Sequence, residues 1–245
     1  WQSARWMITS SVSRRNWRLL VPQMYEIGNR SVPVILVTGF STGLTEAQAK
    51  ERLATLKKML SKFKALIEGG IPIFEFTLRT EAALPAIAEI AKRFPEAQTG
   101  AGTVLSKAQA RQALDAGAQY IVSPGWDGGV VKTAKKAGVP VVPGVVTPSE
   151  VQRAMRKGLR VLKLFPANIA GGVPMLKAMA SVYPDVSFVP TGGVSAGNLA
   201  EYLAVPNVAA VGGSWLVPKA AVAEGRFEEI TRLAIEAREI AAEVR

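Results

Sequence analysis

No cysteine and no histidine occur in the 245 residues, and those two gaps remove much familiar enzyme chemistry. Without cysteine there is no disulfide framework, no thiolate nucleophile and no thiolate metal site. Without histidine the chain lacks the commonest metal ligand and the commonest base that titrates near neutral pH. Proton transfer is left to carboxylates, lysine, tyrosine or water, and nothing in the sequence calls for a metal or another cofactor. No stretch supplies the ~18 or more consecutive apolar residues of a membrane helix, so no membrane partner is expected. Acid is also scarce: 19 Asp and Glu stand against 30 Lys and Arg, a formal net charge of +11.

That charge is unevenly spread. Residues 1–30 hold five arginines and one glutamate, net +4, and residues 31–64 hold six bases and two acids, again net +4. The remaining chain, 65–245, holds nineteen bases and sixteen acids, net +3. Basicity concentrated at the front gives a nonspecific affinity for anionic polymers, not a means of reading nucleic acid. Residues 1–30, with Trp1, Trp6 and Trp17 among Ser, Arg and Gln, read as an N-terminal extension. It is either a targeting segment or an arm packed on the main domain. The expected location is cytoplasmic, with organelle targeting left open by that extension.

From residue 31 onward the length suits one domain, 31–245. Val32–Val37 reads as a first buried strand, and a long helix runs from about Thr45 to Glu68 with Leu53, Leu56, Leu60, Phe63 and Ile67 on one stripe. Short strands and helices then alternate: strand 71–77, helix 81–93, strand 98–101, helix 107–116, strand 120–122, helix 128–137 and strand 139–142. Thr147-Pro148-Ser149-Glu150 has the spacing of a capped helix start. A strand around Lys163, a helix over 173–181, a strand over 186–189, a helix over 195–203, a strand over 208–211 and a final helix over 226–244 complete the series. Eight βα units without hairpin signals predict an α/β fold, a (β/α)8 TIM barrel with an N-terminal extension and an enlarged first βα segment.

In such a barrel chemistry collects at the carboxyl ends of the strands. The strand Val161-Leu162-Lys163-Leu164 carries a lone lysine in an apolar run. Desolvation favours the free amine, the form that attacks a carbonyl to give a Schiff base. Glu75 stands between Phe74 and Phe76, an apolar setting for a carboxyl suited to proton transfer, with Arg79 and Lys163 as its expected ion-pair partners. Thr103 and Pro124 lie at two further strand ends. Thr191-Gly192-Gly193 and Gly212-Gly213-Ser214 sit on the last two strands, where barrels often cradle phosphate.

Seven motifs in order carry a resemblance to a known family. They are Phe74-Glu75-Phe76-Thr77-Leu78-Arg79-Thr80, Gly100-Ala101-Gly102-Thr103-Val104-Leu105, Ile121-Val122-Ser123-Pro124-Gly125, and Pro143-Gly144-Val145 with Thr147-Pro148-Ser149-Glu150. Leu162-Lys163-Leu164-Phe165-Pro166-Ala167, Pro190-Thr191-Gly192-Gly193-Val194 and Gly212-Gly213-Ser214-Trp215-Leu216-Val217-Pro218 follow. From about Pro33 the chain resembles the 2-dehydro-3-deoxy-phosphogluconate (KDPG) aldolase family, which includes 4-hydroxy-2-oxoglutarate aldolases. The resemblance implies a trimeric class I aldolase in which Lys163 forms the Schiff base, Glu75 transfers protons and Arg79 holds the substrate carboxylate. It implies that Thr103 lies near the pyruvyl portion, that Pro124 belongs to the substrate-binding set and that Thr191 meets the hydroxylated carbons. Gly192, Gly193, Gly213 and Ser214 fall on the phosphate site.

The implied partners are small molecules, a phosphorylated 2-oxo acid and pyruvate, with no cofactor and no metal. Two alternatives stand beside KDPG cleavage: action on 4-hydroxy-2-oxoglutarate, and a non-catalytic or engineered barrel scaffold that makes contacts through its basic surface. Two departures from the family pattern are the extension before residue 31 and about fifteen additional residues between Val37 and Ala65.

Overall fold

The computed structural model describes residues 34–37 and 46–244, with side-chain surroundings from Ala54 onward. The expected extension over 1–30 and the loop over 38–45 therefore lie outside the described residues. Strand β1 (Val34–Val37) is followed by α1 (Glu46–Glu68), β2 (Ile73–Thr77), α2 (Ala83–Arg93), β3 (Gln98–Gly102) and α3 (Lys107–Asp115). Next come β4 (Tyr120–Ser123), α4 (Gly128–Ala137), β5 (Val141–Val145), α5 (Pro148–Arg156) and β6 (Val161–Leu164). The chain ends with α6 (Gly172–Val182), β7 (Ser187–Pro190), α7 (Ala196–Leu203), β8 (Gly212–Gly213), α8 (Lys219–Glu224) and α9 (Phe227–Val244).

The strands form one curled parallel sheet in the order β7-β6-β5-β4-β3-β2-β1-β8. Two isolated parallel bridges, Phe188 with Val208 and Thr191 with Gly212, lie between β7 and the segment that forms β8. Period-two alternation separates two apolar layers. Leu162 and Leu164 of β6 belong to the large core beneath the helices, whereas Val161 joins Tyr120, Val122, Val142 and Val189 in a small cluster on the opposite face. The alternation read from the sequence thus puts Lys163 on the concave face of the sheet, opposite the helices.

Local chemistry sets the helix starts. Thr147 and Glu150 form the expected capping box with Pro148 in the first turn. Backbone N–H groups at Val146 and Thr147 hold the Glu150 carboxyl below its ordinary range, against a burial effect of opposite sign. Asp127 and Ser106 accept from Val130 N–H and Gln109 N–H and start α4 and α3.

Several expected boundaries move. The fifth strand does not stop at Pro143-Gly144 but runs through them to Val145. Gly144 lies in register with Lys163, and a Cβ there would sit 2.0 Å from the carbonyl oxygen of Pro124, so close packing holds this stretch extended. The last strand is the glycine pair 212–213 and not 208–211, where Val208 keeps one bridge. A short helix, α8, also precedes the final one.

The stripe on α1 is rotated as well. Phe63, Ala65 and Leu66 are buried, while Leu56, Leu60 and Ile67 are only half-buried. The helix serves two surfaces, which broadens its apolar face. Phe63 packs on Phe74 and Phe76 with ring centroids 4.7 and 5.1 Å away, and at Gly69 the backbone meets Ala234 of α9, where a Cβ would lie 2.4 Å from Ala234 Cβ.

That broad face takes in Lys62, which is 7% exposed, has its Nζ 4.7 Å from the Phe63 ring centroid and has no acidic partner among the described residues. Burial pulls its pKa down from 10.5 to about 8. Between those values the unfolded chain binds more protons than the folded one, so the contribution of this residue to stability rises with pH. Below pH 8 the ammonium is charged in both states and the burial penalty is fully present. Lys62→Met is therefore expected to be the more stable protein at pH 7, with an advantage that shrinks by about 3 kcal/mol on going to pH 10.5. Urea midpoints of both proteins across that range test this, and parallel pH profiles would show that Lys62 is solvated.

Candidate active site

Lys163 and Glu75 meet on the concave face although 88 residues separate them in sequence. The Lys163 Nζ lies 3.2 Å from Glu75 Oε1, with side chains 5% and 3% exposed. Glu75 is the one buried carboxylate among the described residues. The Phe165 ring stands 5.2 Å from the same Nζ and faces the ammonium. A buried pair of this kind is a poor source of stability, because removing two charges from water offsets their attraction. It is a good source of chemistry, since one proton shift from nitrogen to oxygen yields a free amine beside a carboxylic acid.

The surroundings of Glu75 differ from the expected ones. Phe74 and Phe76 turn to the helix side against Phe63, so they do not flank the carboxyl. Glycine provides its room instead. A Cβ at Gly102 would fall 2.0 Å from Glu75 Oε1, and one at Gly100 would fall 2.2 Å from the Tyr120 ring. The sequence reading did not single out Tyr120, Gly100 or Gly102 as a set. Their signal was present in Gln98-Thr99-Gly100-Ala101-Gly102, a strand whose alternate positions are glycine.

Of the two partners expected for Glu75, Lys163 is the one found. Arg79 is exposed in the turn after β2, held by its N–H to Thr77 O at 2.8 Å, and its guanidinium is not part of the pair. Thr103 follows β3 at φ 55°, a left-handed backbone that a β-branched residue seldom adopts. Pro124 follows β4 with its carbonyl against Gly144, one residue pair from Lys163.

The late glycines form a second group. Thr191 is buried, and its Oγ1 takes the space a Gly212 Cβ would need. Gly192 and Gly193 have φ of 94° and 87°, the left-handed backbone that favours glycine. Their carbonyls are tied back: Gly192 O accepts from Asn168 N–H at 3.0 Å and Gly193 O from Asn198 Nδ2 at 2.9 Å. Packing also requires glycine at 213, because a Cβ there would lie 1.8 Å from the Trp215 ring. Ser214 beside it is exposed.

Comparison with known proteins places this geometry. The family profile for KDPG and KHG aldolases matches residues 49–233, and the chain belongs to that family. It is 48% identical over 170 residues to 2-dehydro-3-deoxy-phosphogluconate aldolase of Treponema pallidum, covering 69% of this chain and 81% of that protein. Among solved structures, a KDPG aldolase from Legionella pneumophila with pyruvate captured as a covalent carbinolamine superposes with a TM-score of 0.76. It is 37% identical, and the match covers 88% of this chain and 98% of that one. The 2-keto-3-deoxy-6-phosphogluconate aldolase of Zymomonas mobilis with 3-phosphoglycerate gives a TM-score of 0.73 at 35% identity, with 89% and 95% covered.

The glycine clearance yields a test of the site. Gly102→Ala is expected to keep its far-UV circular dichroism yet lose about 100-fold in turnover, the usual effect of displacing a reacting group by about 1 Å. A variant as active as the parent would show that the Glu75 carboxyl is not confined there.

Proposed function

We propose that this protein cleaves 2-dehydro-3-deoxy-6-phosphogluconate to pyruvate and D-glyceraldehyde 3-phosphate through a Schiff base on Lys163. The observation that carries the reading is the buried Lys163–Glu75 pair at 3.2 Å. Proton transfer to Glu75 frees the Lys163 amine, which attacks the C2 carbonyl to form a carbinolamine. Glu75, now an acid, protonates the departing hydroxyl, and loss of water gives the imine. The resulting carboxylate removes the proton from the C4 hydroxyl. As the C3–C4 bond breaks, its electrons enter the imine to give an enamine and the aldehyde leaves. Protonation at C3 and hydrolysis release pyruvate and restore the amine. With no histidine in the chain, one carboxylate serves each proton transfer.

Arg79 offers a two-point grip on the 2-oxo acid carboxylate, with Thr103 and Pro124 along the pyruvyl portion. Thr191 meets the hydroxylated carbons, and Gly192 and Gly193, with Gly213 and Ser214, take the phosphate. The 48% identity to a 2-dehydro-3-deoxy-phosphogluconate aldolase and the likeness to an aldolase solved with 3-phosphoglycerate support the phosphorylated substrate over an unphosphorylated one. The curled parallel sheet and the bridges between β7 and the β8 segment support a closed (β/α)8 barrel. One barrel domain over 31–245, an N-terminal extension over 1–30 and a homotrimer follow from the family resemblance, and light scattering tests the last.

The expected behaviour is pyruvate release from the phosphorylated substrate and a fall of about 100-fold or more in Glu75→Gln, in line with loss of a general base. Coupled assay of pyruvate measures both. Undiminished turnover in Glu75→Gln would assign the proton transfers to water or another group.

A further inference from the structure

Tyr120 is a buried ionisable group on the concave face that the proposed reaction does not use. Three neighbouring strands place it. Glu75 of β2 is in register with Gly100 of β3, and Gly100 is in register with Tyr120 of β4. Because Gly100 has no side chain, the tyrosine ring passes over β3, at a point where a Cβ would lie only 2.2 Å from it. The ring thereby spans a full strand. Its hydroxyl donates to the main-chain carbonyl of Phe74 at 2.7 Å, across 46 residues of sequence. Phe74 is the residue immediately before Glu75.

We propose that Tyr120 is a positioning residue for the proton-transfer carboxylate, fixing the backbone of β2 directly before Glu75 so that its carboxyl points at Lys163 and the substrate C3. The arrangement suits that task. An isolated hydroxyl in the apolar cluster of Val122, Val142, Val161 and Val189 would be costly to bury without an acceptor. The Phe74 carbonyl therefore sets where the ring can go, and the ring in turn holds β2. Burial first, and then the Glu75 charge, push the Tyr120 phenol well above its ordinary pKa. The hydroxyl thus stays protonated and remains a donor throughout the range in which an aldolase works. The bond tethers β2 and leaves Lys163 untouched, so its loss slows the proton transfers that run through Glu75 while the amount of imine present at equilibrium is kept.

The inference rests on the aldolase reading and is tested by two quantities measured on the same protein with pyruvate alone. The first is the amount of imine at equilibrium, read as borohydride-dependent incorporation after prolonged incubation. The second is the rate at which the pyruvate methyl protons exchange with deuterium, read by NMR, which requires a base at C3. In Tyr120→Phe, which keeps the ring and removes only the hydroxyl, the equilibrium imine is expected within about twofold of the parent while exchange falls about fivefold or more. Gly100→Ala, which keeps the hydroxyl and displaces the ring, is expected to lower the same ratio of exchange rate to imine. A merely structural tyrosine would lower both quantities together through loss of folded protein and leave their ratio unchanged. An unchanged ratio in Tyr120→Phe overturns this inference alone. Failure of the parent to trap pyruvate at all overturns the aldolase reading, and this inference with it.

Discussion

A lysine and a glutamate held out of water within 3.2 Å of each other are the constraint on which the rest of this fold is arranged. Each charge alone would be unstable in that position, since a buried ion without its partner costs about 3–5 kcal/mol. The pair binds the sixth strand to the second across the concave face, and it works only if both strands arrive at the correct height. The parallel registers from β2 through to β7 supply that height. The helices supply the reverse side, with Phe63, Phe74 and Phe76 stacked behind the very strand that presents Glu75.

Space around the pair comes from glycine. Gly100 admits the Tyr120 ring, Gly102 the Glu75 carboxyl, Gly144 the Pro124 carbonyl, and Gly212 the Thr191 hydroxyl. Each position lies in or beside a strand, where glycine weakens the element it belongs to. Filling those positions with methyl groups would pack the concave face and leave no room for the groups that act. The stability given up in the strands is what keeps a polar site open in an apolar interior.

Much of this was legible in the sequence because the relevant signals are local. Alternation in Val161-Leu162-Lys163-Leu164 assigned the lysine to its face, and the capping residues fixed the start of α5. What the sequence could not show was which surface each flank of a residue meets. Phe74 and Phe76 adjoin Glu75 in the chain yet turn to the opposite side, so they give the carboxylate no apolar wall. Arg79, four residues along, stands in solvent, while Lys163, far away in sequence, makes the pair. Strand ends were misplaced where glycine and proline suggested a stop. At Pro143-Gly144 and Gly212-Gly213 tertiary packing holds the backbone extended despite weak local preference. The Tyr120 bridge was invisible for the same reason, since it depends on register across three strands.

The account turns on whether Lys163 is the nucleophile. Incubating the chain with pyruvate and borohydride, then mapping the modified peptide by mass spectrometry, addresses that directly. The reduced pyruvyl group is expected on Lys163 alone, with no label in Lys163→Ala. Stable modification of a surface lysine instead, or equal labelling in Lys163→Ala, would contradict the account.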